Sequence, residues 1–210
     1  MIIAIETAST DVSLALARPD GTTIASTAWT GDRRQGHETL PRLLALLRDN
    51  HAALGDATAL AVGIGPGSFT GLRVGMSLAK GMALSLARPI VGVPSLMAWL
   101  VAEPDADGAL ARAGARDAYL LLRGEDAAHV VDRDELPHAA RGAALVAPQE
   151  LAQAFGLGGA RPPERAAASV AALAAERLRA KPGGDDLDLL EPAYLRAPRG
   201  LERVSGGKPG

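Results

Sequence analysis

Short apolar runs and amphipathic segments alternate along the first half of the chain. Three β-compatible runs open the sequence, at residues 1–7, 12–17 and 22–29, and the Pro and Asp-Gly content of residues 18–21 predicts a hairpin turn between the last two. A polar loop follows, and leucines then recur on one side of a helix predicted at residues 37–51. The chain is therefore expected to begin as a three-stranded meander that leads into a helix.

The pattern continues with a strand at 60–64, an apolar helix at 70–87, a strand at 90–93 and a short helix at 95–102. Three strands followed by alternating helices and strands predict an α/β fold, in which a mixed sheet carries helices on its faces. The same order of elements is found in the ribonuclease H-like fold of actin, Hsp70 and sugar kinases. This is the fold class that we expect.

The second half is rich in alanine, which blurs any periodicity. Residues 103–114 contain Pro, Asp and Gly with few large apolar side chains, and they are the predicted linker. We expect an N-terminal lobe at residues 1–105, a smaller C-terminal lobe at 106–196 and a frayed tail at 197–210. The elements predicted for the C-terminal lobe are strands at 117–123, 129–132 and 143–147, helices at 149–155 and 164–180, and an extended segment at 189–196.

A glycine-rich corner joins the fourth predicted strand to the long apolar helix. Gly65 and Gly67 flank Pro66 and predict a tight turn, and Ser68 or Thr70 can cap the helix that follows. Backbone amides at such a helix start can bind a phosphate, although the Lys-Ser/Thr pair of a P-loop is missing. A phosphate-binding loop and a turn that only connects strand to helix both stay open.

Glu6 and Thr7 end the first predicted strand. Ribonuclease H-like ATPases place an acidic residue here, where it helps to hold a metal–phosphate complex, but the residues after Thr7 lack the glycine that lets a backbone close on a nucleotide. The alternative is that Glu6 caps a loop or accepts hydrogen bonds from backbone amides at the strand end. The candidate phosphate-loop residues are Glu6, Thr7, Gly65, Gly67 and Ser68.

Small residues recur at every fourth position of the predicted helix at 70–87. Glycine inside a helix costs about 1 kcal/mol relative to alanine, so a close approach by another element is expected along this stripe. Its neighbours are large and apolar, and the helix at 37–51 has a leucine stripe of its own. These faces could belong to the core or bind a partner. The candidate interface residues are His37, Leu40, Leu43, Leu44, Leu47, Gly71, Leu72, Gly75, Met76, Ala79 and Ala83.

The composition of the chain argues against several classes of function. A formal net charge of −2 gives no overall attraction to nucleic acid or to an anionic membrane, so any RNA contact has to be local or supplied by a partner. The chain has no Cys, and its four histidines are never three or four residues apart, so no helix presents two imidazoles to one metal. Ser68 does not lie in a nucleophile elbow. Neither a catalytic residue nor a metal site is predicted.

The start of the chain and its longest apolar stretch bear on the compartment. Residues 1–5 lack a basic n-region and a small-residue cleavage site, and Glu6 interrupts the apolar run, so a signal peptide is not predicted. The stretch at 72–89 contains three basic side chains, which argues against a membrane span. We expect a cytoplasmic protein without a membrane partner.

Several motifs spread over the chain, apart from the tail, resemble one known family. They are IIAIETA at 2–8, HE at 37–38, GPGSFTGLRVG at 65–75, AKG at 79–81, GVPSL at 92–96 and PAYLR at 192–196. Together they are similar to the TsaB (YeaZ) family of bacterial tRNA threonylcarbamoyladenosine biosynthesis. The chain departs from this family at Glu6, where the family usually has Asp.

The resemblance implies two ribonuclease H-like lobes and a noncatalytic subunit. It implies binding to TsaD, the catalytic subunit, through the first two long helices, with the ATPase TsaE joining the assembly. That complex moves a threonylcarbamoyl group from threonylcarbamoyl-AMP to an adenosine beside the tRNA anticodon. ATP and metal would then act elsewhere in the complex, this chain alone would bind no cofactor, and tRNA would be met only through the complex. A homodimer in the absence of the partner is a further expectation, and a metallopeptidase-like or ATP-using enzyme on the same fold is the alternative function.

Overall fold

Two mixed β-sheets with helices against them form the computed structural model, which describes residues 1–31 and 34–193. The strands are β1 (Ile2–Glu6), β2 (Asp11–Ala17), β3 (Thr23–Thr30), β4 (Ala59–Gly63), β5 (Ile90–Val93), β6 (Gly108–Arg112), β7 (Asp117–Leu122), β8 (His129–Asp132) and β9 (Leu145–Val146). The helices are α1 (Gln35–Asp49), α2 (Phe69–Leu86), α3 (Ser95–Ala102), α4 (Leu136–Ala139), α5 (Gln149–Phe155) and α6 (Ala166–Ala180), with a 3-10 turn at Leu54–Asp56.

The first sheet has the strand order β3-β2-β1-β4-β5. Strands β1, β2 and β3 are antiparallel neighbours, whereas β4 runs parallel to β1 and β5 runs parallel to β4. The hairpins keep the first three strands antiparallel, and the two helical crossovers, α1 and α2, bring the later strands back in parallel. This arrangement is the ribonuclease H-like topology that the sequence predicts.

Helices cover both faces of the first sheet, and alternate residues of β1 show which helix lies where. Ile3 and Ile5 pack in one core with Leu43 of α1 and Met76 of α2. Ile2 and Ala4, on the opposite face, pack with the alanine-rich α6. Alanines on both partners let α6 lie close to the sheet, which gives the alanine content of this region a packing role.

The second sheet has the order β8-β7-β6-β9 and repeats the first four positions of the first sheet. Two antiparallel pairs are followed by a parallel pairing of β6 with β9. The prediction of two ribonuclease H-like lobes is therefore confirmed.

The predicted linker at 103–114 is wrong in part, because β6 lies inside it. Strand β6 is central in the second sheet, and Ala109, Leu110 and Ala111 are fully buried. This strand was not predicted because it consists mostly of alanine and glycine. Its burial comes from neighbouring strands on both sides rather than from large side chains of its own.

The division into lobes at 1–105 and 106–196 stays a prediction, although the position of α6 bears on it. This helix belongs to the second predicted lobe by sequence, yet it packs against the first sheet and its Ala167 amide donates to the Ser13 hydroxyl at 2.9 Å. Residues 194–196 of the predicted extended segment and the predicted tail at 197–210 lie outside the described residues. Within residues 1–31 and 34–193, every helix is too short or too polar to cross a membrane.

Candidate functional site

The glycine-rich corner is built as a capped helix start. Gly65 has a φ of 91°, a conformation that strongly favours glycine, and its amide donates to the Ser95 hydroxyl at 3.0 Å. Ser68 is the N-cap of α2, and its side chain accepts a hydrogen bond from the Gly71 amide at 3.2 Å. The predicted cap at Ser68 is confirmed, and the corner is held from within the chain.

The turn after β1 closes over this corner. The Ser68 amide donates to the Ala8 carbonyl oxygen at 2.6 Å, and a Cβ atom added to Gly67 would lie only 2.2 Å from the same oxygen. A carbonyl oxygen of the chain therefore occupies the place where a phosphate oxygen would meet the Ser68 amide. The Ser68 amide is therefore not free for a phosphate, although Gly67 and Ser68 also line the neighbouring cavity, and the phosphate-loop hypothesis for Gly65, Gly67 and Ser68 stays a prediction.

A cavity of about 330 Å³ lies beside the corner, between the two lobes. Ser9 and Thr10 line it from the first lobe, and Arg112 and Glu150 line it from the second. The Arg112 guanidinium lies 4.0 Å from the Glu150 carboxylate. The one basic side chain in this lining therefore faces an acidic one, which leaves little positive charge for an anionic ligand.

Glu6 is buried at the end of β1, with 1% of its surface exposed. Its Oε1 accepts a hydrogen bond from the Ala8 amide at 2.7 Å. Oε2 lacks a well-formed hydrogen bond among the described residues, although the Ser95 hydroxyl lies near enough to stabilise the carboxylate. Burial raises the pKa of Glu6 to about 7, against the lowering effect of the hydrogen bonds from Ala8, Ser95 and Thr7.

The surroundings of Glu6 do not favour a role in holding a metal–phosphate complex, and this role stays a prediction. A Cβ atom added to Gly63 would lie 2.1 Å from Oε2, so the carboxyl group packs against β4 rather than facing the cavity. The alternative, that Glu6 bonds backbone amides at the strand end, agrees with its contact to Ala8.

Thr7 explains the small-residue stripe of α2. Its hydroxyl donates to the Gly71 carbonyl oxygen at 2.8 Å, and a Cβ atom added to Gly75 would lie 2.2 Å from the same hydroxyl. Farther along the stripe, Ala79 and Ala83 are buried in the core under α1 and α2. The stripe is therefore where α2 meets its own sheet, and the prediction that it contacts a partner is wrong.

The large apolar residues of the predicted interface divide between the core and the surface. Four of them are buried against the chain's own core and are wrong as partner contacts: Leu43, Leu47, Leu72 and Met76. Three other residues are exposed on α1: His37, Leu40 (40% exposed) and Leu44 (46%). Only this last group remains available to another molecule.

The outer face of α1 and α2 carries features that the sequence did not predict. A Cβ atom added to Gly36 would lie 3.8 Å from Val74, so the two helices are neighbours at this point. On the outward side of α2, Ser77, Gly81 and Ser85 form a second small-residue stripe, and all three are exposed. Leu84 is 72% exposed beside them.

Gly81 is the most informative residue of this outer face. A Cβ atom added there would meet nothing within 4 Å among residues 1–31 and 34–193, so no contact in this part of the chain requires glycine. Gly75 and Gly81 lie in the same helix, yet only Gly75 is explained by packing within the chain. Burial distinguishes these two glycines, and burial cannot be inferred from the four-residue spacing alone.

Potential metal ligands are scattered in the described part of the chain. Over residues 1–31 and 34–193, no group of three or more His, Asp or Glu side chains is arranged to hold a metal ion.

Known proteins resemble this chain in both sequence and fold. A family model described as TsaD, tRNA N6-adenosine threonylcarbamoyltransferase, matches residues 33–180. The Escherichia coli tRNA threonylcarbamoyladenosine biosynthesis protein TsaB is 42% identical over 96 residues, which is 46% of this chain and 41% of that protein. The Bacillus subtilis protein of the same name is 39% identical over 95 residues, covering 45% and 41%. The matches thus span less than half the length of these curated relatives.

The fold has a solved counterpart. YeaZ from Pseudomonas aeruginosa superimposes with a TM-score of 0.68 at 24% identity, over 92% of this chain and 99% of that one. This likeness shows the fold, and the family model covers well over half of the chain. The chain therefore belongs to the family that this model describes.

Proposed function

We propose that this chain is a noncatalytic subunit of a complex that makes threonylcarbamoyladenosine in tRNA, and that it binds a TsaD-type catalytic subunit through the outer face of α1 and α2. A TsaE-type ATPase joins the assembly, tRNA is met only through the complex, and ATP and metal act on the other subunits. The names of its relatives suggest the pathway. The proposed compartment is the cytoplasm.

The proposal rests on one observation, the open space above Gly81 on the exposed side of α2. Glycine there costs about 1 kcal/mol relative to alanine, and no contact with the described residues compensates for this cost. A missing side chain lets the backbone of a partner helix approach closely. Leu40, Leu44 and Leu84 lie exposed on the same two helices and supply apolar surface for such a contact.

A noncatalytic role is supported by contacts in the glycine-rich corner and in the cavity beside it, where the polar groups are already paired or buried within the chain. The Ser68 amide is already bonded to Ala8, Glu6 is packed against Gly63, and Arg112 faces Glu150 in the cavity between the lobes. A nucleotide-dependent enzyme on this fold would need these groups free for phosphate or metal. ATP turnover by the purified chain, measured without partners, tests this part, and robust turnover would favour the enzymatic alternative.

Size-exclusion chromatography with the cognate TsaD-type subunit tests the binding face. The wild type should co-elute with that subunit, and Gly81→Arg should elute separately because the new side chain occupies the space for the partner helix. Gly158→Arg is the matched control, since Gly158 is also exposed with nothing within 4 Å of an added Cβ, but lies in a loop of the second lobe. It should co-elute like the wild type.

The buried stripe offers no clean test, because Gly75→Arg would disrupt the packing on Thr7 and unfold the chain. Circular dichroism should show that Gly81→Arg keeps the wild-type helix content and melting temperature. Co-elution of folded Gly81→Arg with the catalytic subunit would refute the proposed face.

A further inference from the structure

Three of the four sheet edges are protected within the described part of the chain. On the outer side of β5, the Asp185 amide donates to the Ile90 carbonyl oxygen at 2.7 Å. On the outer side of β9, Arg161 forms a bridge with Val146. Strand β8 is four residues long and ends at the charged Asp132. A free edge pairs readily with other chains, and a covering segment, a short length or a charge prevents such pairing.

Strand β3, the fourth edge, lacks these protections. It is eight residues long and contains neither a charged residue nor proline. Its register shift against β2, at Leu16 and Ala17, lies near the start of β3 and leaves residues 26–30 in regular register. No other strand among residues 1–31 and 34–193 pairs with its outer side. The fold therefore leaves one long edge available for pairing.

The hydrogen bonds between β2 and β3 show which backbone groups of β3 point outward. The Gly31 amide donates to the Thr10 carbonyl oxygen at 2.7 Å, across the end of this pair of strands. In an antiparallel pair every second residue bonds to the neighbouring strand, and the residues between them direct their amides and carbonyls away from it. Counted back from Gly31, the outward-directed residues are Ser26, Ala28 and Thr30. An added strand would bond to these three.

A groove runs along this part of β3. One cavity of about 450 Å³ is lined by residues 26–30 and, across from them, by residues 162–165 before α6. A second cavity of about 520 Å³ shares Gln149 and Pro162 with the first and continues past Ala152 of α5. We call the two together the β3 groove. A long groove beside a free strand edge suits an extended peptide better than a compact ligand.

The β3 groove is acidic where it meets β2. Asp11 and Glu164 line it, against the one basic side chain of its described lining, Arg165. Asp11 Oδ2 is buried and lacks a hydrogen-bond partner among the described residues. Burial raises the pKa of Asp11, a hydrogen bond from the Gln149 backbone lowers it, and the nearby Glu150 and Glu164 carboxylates raise it. The Asp11 carboxylate thus has an unused acceptor in negative surroundings, which favours a cationic partner.

We propose that the β3 groove binds an extended segment of a protein partner, which adds a strand to β3 and places a Lys or Arg side chain against Asp11. Main-chain hydrogen bonds to Ser26, Ala28 and Thr30 supply affinity, and the side chain in the groove supplies specificity. The groove lies on the α6 side of the first sheet, away from the outer face of α1 and α2. This inference therefore does not rest on the proposed function.

The register of β2 and β3 brings Asp11 within reach of an added strand. Asp11 lies opposite Thr30, and Ser13, which accepts a hydrogen bond from the Ala167 amide of α6, lies opposite Ala28. Opposed residues share a face of the sheet, so these side chains all lie on the α6 side. An added strand would run about 10 Å from β2, which is two strand spacings. An extended Lys or Arg side chain opposite Thr30 and the Asp11 carboxylate together span this gap.

Other occupants fit the β3 groove less well. A second copy of the chain could pair through its own β3, but that strand has no basic residue for Asp11, and a two-fold axis would bring two acidic grooves together. An RNA strand would place phosphates beside Asp11 and Glu164, where like charges repel. The free strand edge and the acidic lining together match a basic, extended polypeptide.

Titration of the full chain with a synthetic peptide tests the inference, with NMR of the backbone amides as the readout. The probe is TVTKTVT, blocked at both ends, in which β-forming residues flank one lysine. Peptide concentrations up to about 2 mM suit a weak contact with a single strand. The peptide should shift the amide signals of Ser26, Ala28 and Thr30 and slow their exchange with solvent. TVTETVT, which reverses the charge, should bind about tenfold more weakly.

Two variants separate the charge contact from the strand contact. Asp11→Asn should raise the Kd of TVTKTVT about tenfold, because a charge-assisted hydrogen bond becomes a neutral one. Asp126→Asn is the matched control, since Asp126 is exposed in the turn between β7 and β8, and it should leave Kd unchanged. Ala28→Pro removes one outward amide, which an edge strand tolerates, so it should abolish binding while the circular dichroism spectrum stays that of the wild type.

Each of three results would overturn this inference. The first is the absence of shifts at Ser26, Ala28 and Thr30 at about 2 mM peptide. The second is equal binding of TVTKTVT and TVTETVT, or unchanged binding by Asp11→Asn, because Asp11 would then select nothing. The third is a wild-type dimer that Ala28→Pro dissociates, because a second copy of the chain would then occupy the edge. Co-elution with the TsaD-type subunit is measured separately, so a failure here leaves the proposed function standing.

Discussion

Replacing Glu6 by Gln should make this protein more stable above neutral pH. The carboxyl group is buried, and its pKa is raised from 4.5 to about 7 because burial disfavours the charged form. The amide side chain of the variant would keep a carbonyl oxygen for the Ala8 amide and would resemble the protonated acid in shape. The substitution therefore removes a titration and little else.

The sign and size of this stability difference follow from proton linkage. The folded state binds the Glu6 proton more tightly than the unfolded state, so the contribution of Glu6 to stability is complete below about pH 4.5 and is lost as the pH rises through about 7. Each pKa unit corresponds to about 1.4 kcal/mol, so the shift is worth about 3 kcal/mol in the free energy of unfolding. Relative to the wild type, Glu6→Gln should be more stable by about 1 kcal/mol near pH 5, and this difference should grow to about 3 kcal/mol near pH 8.

Urea unfolding at a series of pH values between about 5 and 8 measures this difference, with fluorescence of the buried Trp99 as the probe. Glu176→Gln is the matched control, because Glu176 is exposed on α6, and its unfolding free energy should follow the wild type at every pH. Parallel wild-type and Glu6→Gln curves over this range would show that Glu6 does not titrate near neutrality and would refute the reasoning.

Four further substitutions test the packing and the N-terminal cap of α2 by chemical or thermal unfolding. Gly81→Ala should raise the free energy of unfolding by about 1 kcal/mol, since the added methyl group meets open space. Gly75→Ala should lower it by about 1–3 kcal/mol, because the methyl group would overlap the Thr7 hydroxyl, and the opposite order of these two variants would contradict the assignment of faces. Ser68→Ala should cost about 1 kcal/mol by removing the cap on the Gly71 amide, whereas Ser68→Asp should retain most of that stability; equal losses in both would exclude capping as the cause.

The sequence predicts the first lobe well because its elements have distinct apolar patterns. Strands β1, β2, β4 and β5 are nearly uniform apolar runs, and α2 is a long apolar segment after a turn of glycine and proline. Such patterns determine element type with little tertiary information. Strand β6 was not predicted because its alanines are buried by larger neighbours, such as Tyr119 and Leu121 of β7. Burial supplied by other elements leaves no local signal.

The candidate site was harder to predict than the fold, because a helix has more than one stripe at four-residue spacing. Gly71, Gly75, Ala79 and Ala83 form one such stripe, and Ser77, Gly81 and Ser85 form another on the opposite side. Each allows close approach, but their spacing cannot say which approaches the sheet and which faces outward.

One contact between residues distant in sequence determines which of the two stripes of α2 faces the sheet. Thr7, at the end of β1, places its hydroxyl against Gly71 and its side chain over Gly75, so that side of α2 has to face the sheet. Once it does, Gly81 has to face outward, because it lies on the other side of the same rigid helix. The glycine that matters for a partner is therefore identified by elimination: the buried glycines are explained by Thr7, and Gly81 is the one in α2 that the described chain leaves without an internal reason.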